Sequence, residues 1–175
     1  MQILIMRHGE AASICGDDSS RPLTEHGILE TKRMGHWLSK RNITLLKIFA
    51  SPYLRAQQSC KNVTNALNKS TLHNDVVIPE TIDLITPSGN AQQVHDFIDG
   101  LMQDIDSLKV GSSVGNDQAI LFVSHMPFIS YLVGELTNSL NMPIFCTGAI
   151  ATIDYDIKAM HGQLIDMTFP ESALI

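Results

Sequence analysis

Three short motifs that contain histidine or arginine each follow an apolar run of the sequence. They are Arg7-His8-Gly9, Ser51-Pro52 with Arg55 shortly after it, and Ser124-His125. An arginine guanidinium is a fixed positive fork that suits phosphate oxygens. A histidine that is neutral near pH 7 can attack phosphorus or transfer a proton. If the apolar runs are strands whose ends meet, these residue types together predict phosphoryl chemistry.

Alternating strands and helices would bring the motifs together. The apolar runs 2–6, 46–50 and 119–123 are typical of buried strands. Ligands of open α/β sheets bind beyond the carboxyl ends of the strands, which is where all three motifs fall. The pattern predicts a single α/β domain over residues 1–175 with a mostly parallel sheet. The other predicted elements are a helix from Thr24 to Arg41, a helix capped by Ser51 that runs to Asn68, a short strand at 76–78, a helix capped by Asn90, a loop at 109–117, a helix ending near Asn138, and strands at 149–155 and 163–169.

Composition excludes several classes of protein. Twelve Lys and Arg against eighteen Asp and Glu give a net charge of -6, whereas binding to a nucleic-acid backbone needs a basic face. The longest apolar run, Ala119 to Val123, is far shorter than the roughly 20 residues that span a bilayer. Three cysteines without a Cys-x-x-Cys pair favour a reducing compartment. We therefore expect a cytoplasmic protein that binds neither nucleic acid nor membrane.

Taken together, the motifs resemble those of the histidine phosphatase superfamily, which includes the phosphoglycerate mutases. They are R-H-G after the first strand, S-P-x-x-R-A-x-Q from Ser51 to Gln58, and a strand ending in S-H-x-P. M-R-H-G-E-A at the start, R-P-L-T at Arg21 to Thr24 and the short length are similar to the small bacterial phosphohistidine phosphatases of the SixA type. The resemblance covers essentially the whole chain. It implies a three-layer, phosphoglycerate mutase-like fold without a sizeable cap insertion.

The resemblance also implies a mechanism. His8 would be the nucleophile and would carry a transient phosphoryl group that water hydrolyses. Arg7 and Arg55 would bind the phosphoryl oxygens, and His125 would donate a hydrogen bond to the same group in the transition state. No metal or cofactor is implied. Further residues expected to contact the substrate are Gly9, Ser51 and Arg21, although Arg21 could equally fix its loop through a surface ion pair.

The proton donor to the leaving group is open, because many family members carry a glutamate on a segment that this short chain lacks. Asp18, in the loop before Arg21, is the first candidate, Glu80 the second and Glu10 the third. A phosphohistidine substrate relaxes the need for a donor, since free imidazole titrates near about 6.5 and water can protonate it. An alkyl phosphate ester has no such help.

A cysteine nucleophile is the competing chemistry. Cys15 to Arg21 has the C-x5-R spacing of the cysteine-dependent phosphatase loop, which cradles phosphate with backbone N–H groups. The two aspartates between them would repel phosphate, and no strand directly precedes Cys15. The sequence therefore favours histidine as the nucleophile. A metal site made from the two motif histidines has no supporting ligand spacing.

The span between Arg55 and His125 leaves little chain for a lid over the site. We therefore expect an open, shallow pocket suited to a phosphorylated side chain of another protein. The implied partner is a histidine-containing phosphotransfer domain of a bacterial sensor kinase. The alternatives are a small-molecule phosphomonoesterase or mutase of the same fold, and a non-enzymatic, degenerate phospho-binding scaffold.

Overall fold

The structure is a computed structural model that describes residues 1–13, 16–41, 43–69, 77–108 and 118–174. Within these residues, six strands form one sheet. The strands are β1 (Gln2–Arg7), β2 (Thr44–Ala50), β3 (Glu80–Thr81), β4 (Gln118–Ser124), β5 (Ile150–Asp156) and β6 (His161–Thr168). Their order is β3-β2-β4-β1-β5-β6. The first four in this order are parallel, and β5 and β6 are antiparallel. The expected mostly parallel sheet is therefore confirmed, with an antiparallel hairpin at one end.

A pair of helices covers each face of the sheet. The helices are α1 (Glu25–Lys40), α2 (Leu54–Lys69), α3 (Ala91–Leu108) and α4 (Phe128–Thr137), and short 3-10 turns lie at Asp18–Ser20, Asp83–Ile85 and Ser172–Leu174. Alternate side chains of β1 point to opposite faces, so that Leu4 packs with α1 and α2 while Ile5 packs with α3 and α4. These two hydrophobic layers on either side of the sheet confirm the predicted three-layer architecture.

Local capping explains where two of the helices begin. The Thr24 side chain accepts a hydrogen bond from the backbone N–H of Gly27, so Thr24 is the N-cap of α1 as predicted. Asn90 likewise accepts from the backbone N–H of Gln93 at the start of α3.

The prediction that Ser51 caps α2 is wrong. The helix begins at Leu54 because Ser51 still belongs to the sheet edge: its backbone N–H donates to Val123. Its side-chain oxygen lies 2.7 Å from a ring nitrogen of His125. Ser51 therefore forms hydrogen bonds with β4 and with His125, which follows β4.

Val77 and Ile78, the described part of the strand predicted at 76–78, do not form a strand. Val76 lies outside the described residues, and Val77 and Ile78 precede the strand, with Ile78 76% exposed. The edge strand β3 consists instead of Glu80 and Thr81, which pair with the last two residues of β2. An edge strand needs only backbone pairing, so its polar residues gave no hydrophobic signal.

The described residues between Arg55 and His125 contain only the rest of α2, β3, a 3-10 turn, α3 and β4, and no cap-sized insertion. The loop predicted at 109–117 lies outside the described residues. None of the helices in the described ranges has the length and hydrophobicity of a membrane-spanning segment.

Candidate active site

The three motifs meet at one edge of the sheet because β1 and β2 both lie parallel to β4. In the register of β1 and β4, Arg7 is the partner of Ser124. The residues that follow these strands, His8, Ser51 and His125, therefore emerge side by side. The ring centroids of the two histidines are 5.0 Å apart.

His8 is held in one tautomer. Its Nδ1 lies 2.7 Å from the carbonyl oxygen of Gly9, which can only accept, so Nδ1 carries the hydrogen. Nε2 then has a free lone pair and accepts a hydrogen bond from Arg55 Nε at 3.2 Å. Burial, together with the cations of Arg55 and Arg7, lowers the pKa of His8 to about 4. At neutral pH His8 is therefore uncharged, with Nε2 in the form that can attack phosphorus.

His125 is oriented by Ser51. The hydroxyl of Ser51 accepts from the backbone N–H of Tyr53 at 3.4 Å, and its own hydrogen is free to donate to His125 Nε2 at 2.7 Å. In the tautomer in which the hydroxyl donates, the hydrogen of His125 lies on Nδ1, which is buried and has no hydrogen-bond partner among the described residues. Burial and the neighbouring His8 lower the pKa of His125, so the ring is neutral. In that tautomer, its Nδ1–H can donate to an anion.

Two guanidinium groups lie close enough to His8 for their charges to lower its pKa. Arg7 donates from Nη1 to the carbonyl oxygen of Phe145 at 2.7 Å, and its buried Nε has no partner in the described structure. Arg55 is almost fully buried and its guanidinium lies 4.8 Å from the ring centre of Tyr53. Both cations are therefore fixed by packing before any anion binds, which is the arrangement that stabilises developing charge.

Asp18 is bound to this cationic cluster. Its carboxylate accepts from Arg21 Nη1 at 2.9 Å and from Arg55 Nη2 at 3.0 Å, and its backbone carbonyl accepts from Arg55 Nη1. The hydrogen bonds from Arg21 and then Arg55 lower the pKa of Asp18. Arg21 also donates from Nε to the carbonyl oxygen of Ala12. Arg21 thus fixes its own loop, and it also holds a carboxylate that touches Arg55.

The other two candidate proton donors lie elsewhere. Glu80 is exposed on the edge strand and forms an ion pair with Lys47. Glu10 accepts a hydrogen bond from the hydroxyl of Thr24 at 2.7 Å. Of the three carboxylates, only Asp18 forms an ion pair with an arginine of the site in the described part of the chain.

Gly9 is needed for close packing. A Cβ added to Gly9 would lie 2.4 Å from the carbonyl oxygen of Gly27 in α1. Its backbone N–H donates to the hydroxyl of Ser59 at 3.1 Å, and its carbonyl holds the His8 ring. The geometry therefore assigns Gly9 a structural contribution to the site, through the orientation of His8.

No group of three or more histidine, cysteine, aspartate or glutamate side chains is placed to hold a metal ion within the described ranges. Cys15, the nucleophile of the competing hypothesis, lies outside those ranges. What the structure does bring together is a neutral histidine near two guanidinium groups, beside a second histidine whose buried Nδ1 has no partner among the described residues.

Comparison with known proteins identifies the family that carries this arrangement. Residues 3–78 match the model of the histidine phosphatase superfamily (branch 1). The chain is also 34% identical over 156 residues to phosphohistidine phosphatase SixA of Escherichia coli (strain K12), which covers 89% of this chain and 86% of that protein. The chain belongs to the histidine phosphatase superfamily.

Further relatives within the superfamily agree. The chain is 33% identical over 161 residues to a SixA homolog of Haemophilus influenzae (strain ATCC 51907 / DSM 11121 / KW20 / Rd), with 89% of each protein covered. A solved structure of protein histidine phosphatase SixA complexed with tungstate matches with a TM-score of 0.80 and 31% identity over 97% of both chains. The resemblance deduced from the motifs and the fold that it implied are both confirmed.

Removing the hydroxyl of Ser51 tests whether this hydroxyl orients His125. In Ser51→Ala, no hydroxyl favours the tautomer of His125 with its hydrogen on Nδ1, so the Nδ1–H that we expect to bind a phosphoryl group is present only part of the time. We expect kcat to fall by about 10-fold, which corresponds to roughly 1.4 kcal/mol for one hydrogen bond. Steady-state kinetics on a phosphohistidine substrate would measure this loss.

Ser124→Ala is the matched control for Ser51→Ala. Ser124 is equally buried at the end of the adjacent strand, but its hydroxyl donates to the carbonyl oxygen of Ile85 and to neither histidine. We expect the control to keep its kcat even if it is less stable. Equal kcat values for the two variants would contradict a role of Ser51 in positioning His125.

Two residues that contact the site segments were missed by the sequence analysis, namely Glu30 and Thr147. The signal for Glu30 was present, because it falls on the buried face of α1 with Gly27, Thr31 and Met34. A charged residue at a buried helical position requires partners. Thr147 had no comparable signal, since nothing in its local sequence shows which helix it will face.

Proposed function

We propose that this chain is a protein phosphohistidine phosphatase that works through a phosphohistidine intermediate on His8, without a metal. The observation that carries the proposal is the neutral His8 ring, whose Nε2 lone pair faces Arg55 while its Nδ1–H is bound to Gly9. Similarity to the SixA phosphohistidine phosphatases supports the choice of substrate class.

In the first half of the reaction, His8 Nε2 attacks the phosphorus of the substrate. A P–N bond to His8 forms as the P–N bond to the substrate imidazole breaks. The leaving nitrogen keeps the electron pair and takes a proton. In the free protein, Arg55 Nε–H donates to the lone pair of His8 Nε2. When the substrate binds, it donates to a phosphoryl oxygen instead, and Arg7 and His125 Nδ1–H bind the other phosphoryl oxygens. The contribution of these residues is positioning and charge stabilisation, as in other phosphoryl transfers.

In the second half, a water molecule attacks phosphorus and the P–N bond to His8 breaks. His8 regains its lone pair, and the protons of the water leave with inorganic phosphate and the solvent. The bond between Nδ1–H and the carbonyl oxygen of Gly9 supports this step, because it stabilises the positive charge of the phosphorylated ring. The same bond keeps Nε2 aligned through both steps.

Asp18 is the proposed proton donor to the leaving group. In the free protein its two arginine contacts keep it ionised. A bound phosphoryl group competes for Arg55 and adds negative charge nearby, and both effects raise the pKa of the carboxyl towards the range where it can transfer a proton.

Substitution of Asp18 distinguishes the carboxylates. We expect Asp18→Ala to lower kcat on a phosphohistidine protein by about 10-fold, less than the roughly 100-fold usual for a general acid, because water can also protonate imidazole. Asp18→Asn keeps an acceptor for Arg55 and Arg21 but no transferable proton, so it should lose activity as well. Steady-state kinetics with Glu80→Ala as the unaffected control would measure this, and the reverse result would make Glu80 the donor.

A histidine-containing phosphotransfer domain of a bacterial sensor kinase is the proposed partner, and the cytoplasm is the proposed location. The short span between the second and third motifs supports a protein substrate, since it leaves little chain to enclose a small molecule. The test is the rate of phosphate release from a phosphorylated phosphotransfer domain compared with that from small phosphate esters.

Each outcome of that comparison separates one function from the others. A clear preference for the phosphotransfer domain agrees with the proposal. A preference for the esters would make the chain a small-molecule phosphomonoesterase, and transfer to an acceptor instead of water would make it a mutase. Tight phosphate binding without turnover would identify a phospho-binding scaffold.

A further inference from the structure

Glu30 is a buried carboxylate that lies outside the three motifs. It is on the inner face of α1, and its side chain is 4% exposed. One carboxylate oxygen accepts from the backbone N–H of Glu10 at 2.7 Å, and the other accepts from the hydroxyl of Thr147 at 2.5 Å. His26 lies 3.6 Å from the second oxygen on the exposed side. Both strong partners are donors, so the carboxylate is satisfied in the protein interior.

The first partner belongs to the segment that carries the nucleophile. Glu10 directly follows Arg7-His8-Gly9, and its backbone is fixed by Glu30 on one side and by Thr24 on the other. The carbonyl oxygen of Gly9, which fixes the tautomer of His8, belongs to the same peptide unit as the N–H of Glu10. Glu30 therefore holds the peptide plane that orients the His8 ring.

The second partner belongs to the segment between α4 and β5, which forms hydrogen bonds with both Arg7 and His8. In that segment the carbonyl oxygen of Phe145 accepts from Arg7 Nη1 at 2.7 Å, and the backbone N–H of Gly148 donates to the carbonyl oxygen of His8 at 3.1 Å. Thr147 lies between these two contacts. Gly148 has a φ of +74°, and a Cβ there would lie 3.2 Å from Cβ of Glu30, so this turn is fitted against the glutamate.

We propose that Glu30 is a positioning residue for the phosphoryl site. It joins the two segments that hold His8 and Arg7 and thereby fixes the direction of the His8 ring and of the Arg7 guanidinium. Its carboxylate forms hydrogen bonds with the Glu10 N–H and the Thr147 hydroxyl and with neither of those two side chains, so it acts through the Glu10 peptide and through Thr147. The kinetic side of this inference rests on the proposed function, whereas the anion-binding side does not.

Two substitutions distinguish the effect of the hydrogen bonds of Glu30 from the effect of its charge. In Glu30→Gln, the amide oxygen can accept from the Glu10 N–H, and the amide NH2 can donate to the oxygen of the Thr147 hydroxyl. Glu30→Gln thus keeps both bonds and loses the charge. Glu30→Met has a similar shape but can make neither bond, and it leaves the buried N–H of Glu10 without a partner.

The test compares these variants in turnover of a phosphohistidine protein and in binding of tungstate, an unreactive tetrahedral oxyanion. We expect Glu30→Met to lower kcat by about 10-fold or more, with a smaller change in KM, because misaligned catalytic groups affect the transition state most. It should also weaken tungstate binding. Glu30→Gln should stay within about threefold of the wild type in both assays, and Thr147→Val should reproduce part of the Glu30→Met loss.

Asp99→Leu is the control for a general loss of stability. Asp99 accepts a hydrogen bond from the hydroxyl of Tyr155, whose backbone pairs with Met1 at the end of the sheet opposite to His8. At a temperature where the variants are folded by circular dichroism, Asp99→Leu should have the wild-type kcat. If Glu30→Met does not fold, Thr147→Val tests the same link, because it removes the hydrogen bond between Thr147 and Glu30.

The outcomes are distinct. Wild-type kcat and tungstate affinity in folded Glu30→Met or Thr147→Val would overturn the inference. So would a Glu30→Gln variant as impaired as Glu30→Met, because charge and not hydrogen bonding would then be responsible. If the wild type binds tungstate in a Glu30-dependent manner but releases no phosphate from phosphohistidine, the proposed function fails while the positioning role stands.

Discussion

Replacing His8 with asparagine is expected to lower kcat for phosphohistidine hydrolysis by about 10⁴-fold or more, which is the scale of loss for a covalent nucleophile. Asparagine can still donate to the Gly9 carbonyl, but it has no ring nitrogen with a lone pair that can attack phosphorus. The other anion-binding groups stay in place, so tungstate binding should remain measurable. The loss is then one of chemistry and not of folding or binding.

Cys15→Ser is the comparison that makes the His8 result decisive. If His8 is the nucleophile, Cys15→Ser keeps the wild-type kcat while His8→Asn is inactive. A His8→Asn variant that turns over at a rate near that of the wild type, with an inactive Cys15→Ser, would instead assign the chemistry to the cysteine loop.

Replacing Arg55 with alanine is expected to lower kcat/KM by about 10³-fold, since one fixed cationic donor to a developing oxyanion is worth several kcal/mol in a buried site. Arg55 is the donor to His8 Nε2, the partner of Asp18 and a neighbour of the Tyr53 ring. Arg55→Lys keeps a charge but loses the planar fork, so it should recover only part of the activity. Steady-state kinetics of the three forms would measure both effects.

Arg41→Ala is the matched control for Arg55→Ala. The guanidinium of Arg41 also lies over an aromatic ring, 4.6 Å from the centre of the Trp37 ring, but at the far end of α1. We expect its removal to leave kcat/KM unchanged. A loss of less than about threefold in Arg55→Ala would contradict the assignment of Arg55 to the phosphoryl site.

The meeting of the motifs was predictable because it follows from strand direction alone. Arg7, Ser51 and His125 each lie at or just after the carboxyl end of a parallel strand, and such ends share one edge of a sheet. The apolar runs of those strands are buried on both faces, which makes them clear in the sequence.

The contacts that tune the site could not be predicted in the same way. The pairing of Asp18 with Arg55 depends on the path of a long loop, and loop paths have no periodic signal. Serine is a common helix cap, so the local sequence predicted this role for Ser51. The contact of its hydroxyl with His125 depends on the tertiary structure, because His125 lies far away in the sequence. The partners of Glu30 lie 20 residues before it and 117 residues after it in the chain.

Direct detection of the phosphorylated enzyme tests the central claim. The protein is mixed with a phosphohistidine substrate, quenched within milliseconds in alkaline denaturant that preserves P–N bonds, and digested for mass spectrometry. We predict a transient phosphoryl group on the peptide that contains His8, which forms and decays fast enough to account for turnover and is absent in His8→Asn. A phosphoryl group on Cys15, or turnover with no phosphorylated enzyme at any time, would contradict His8 as the nucleophile.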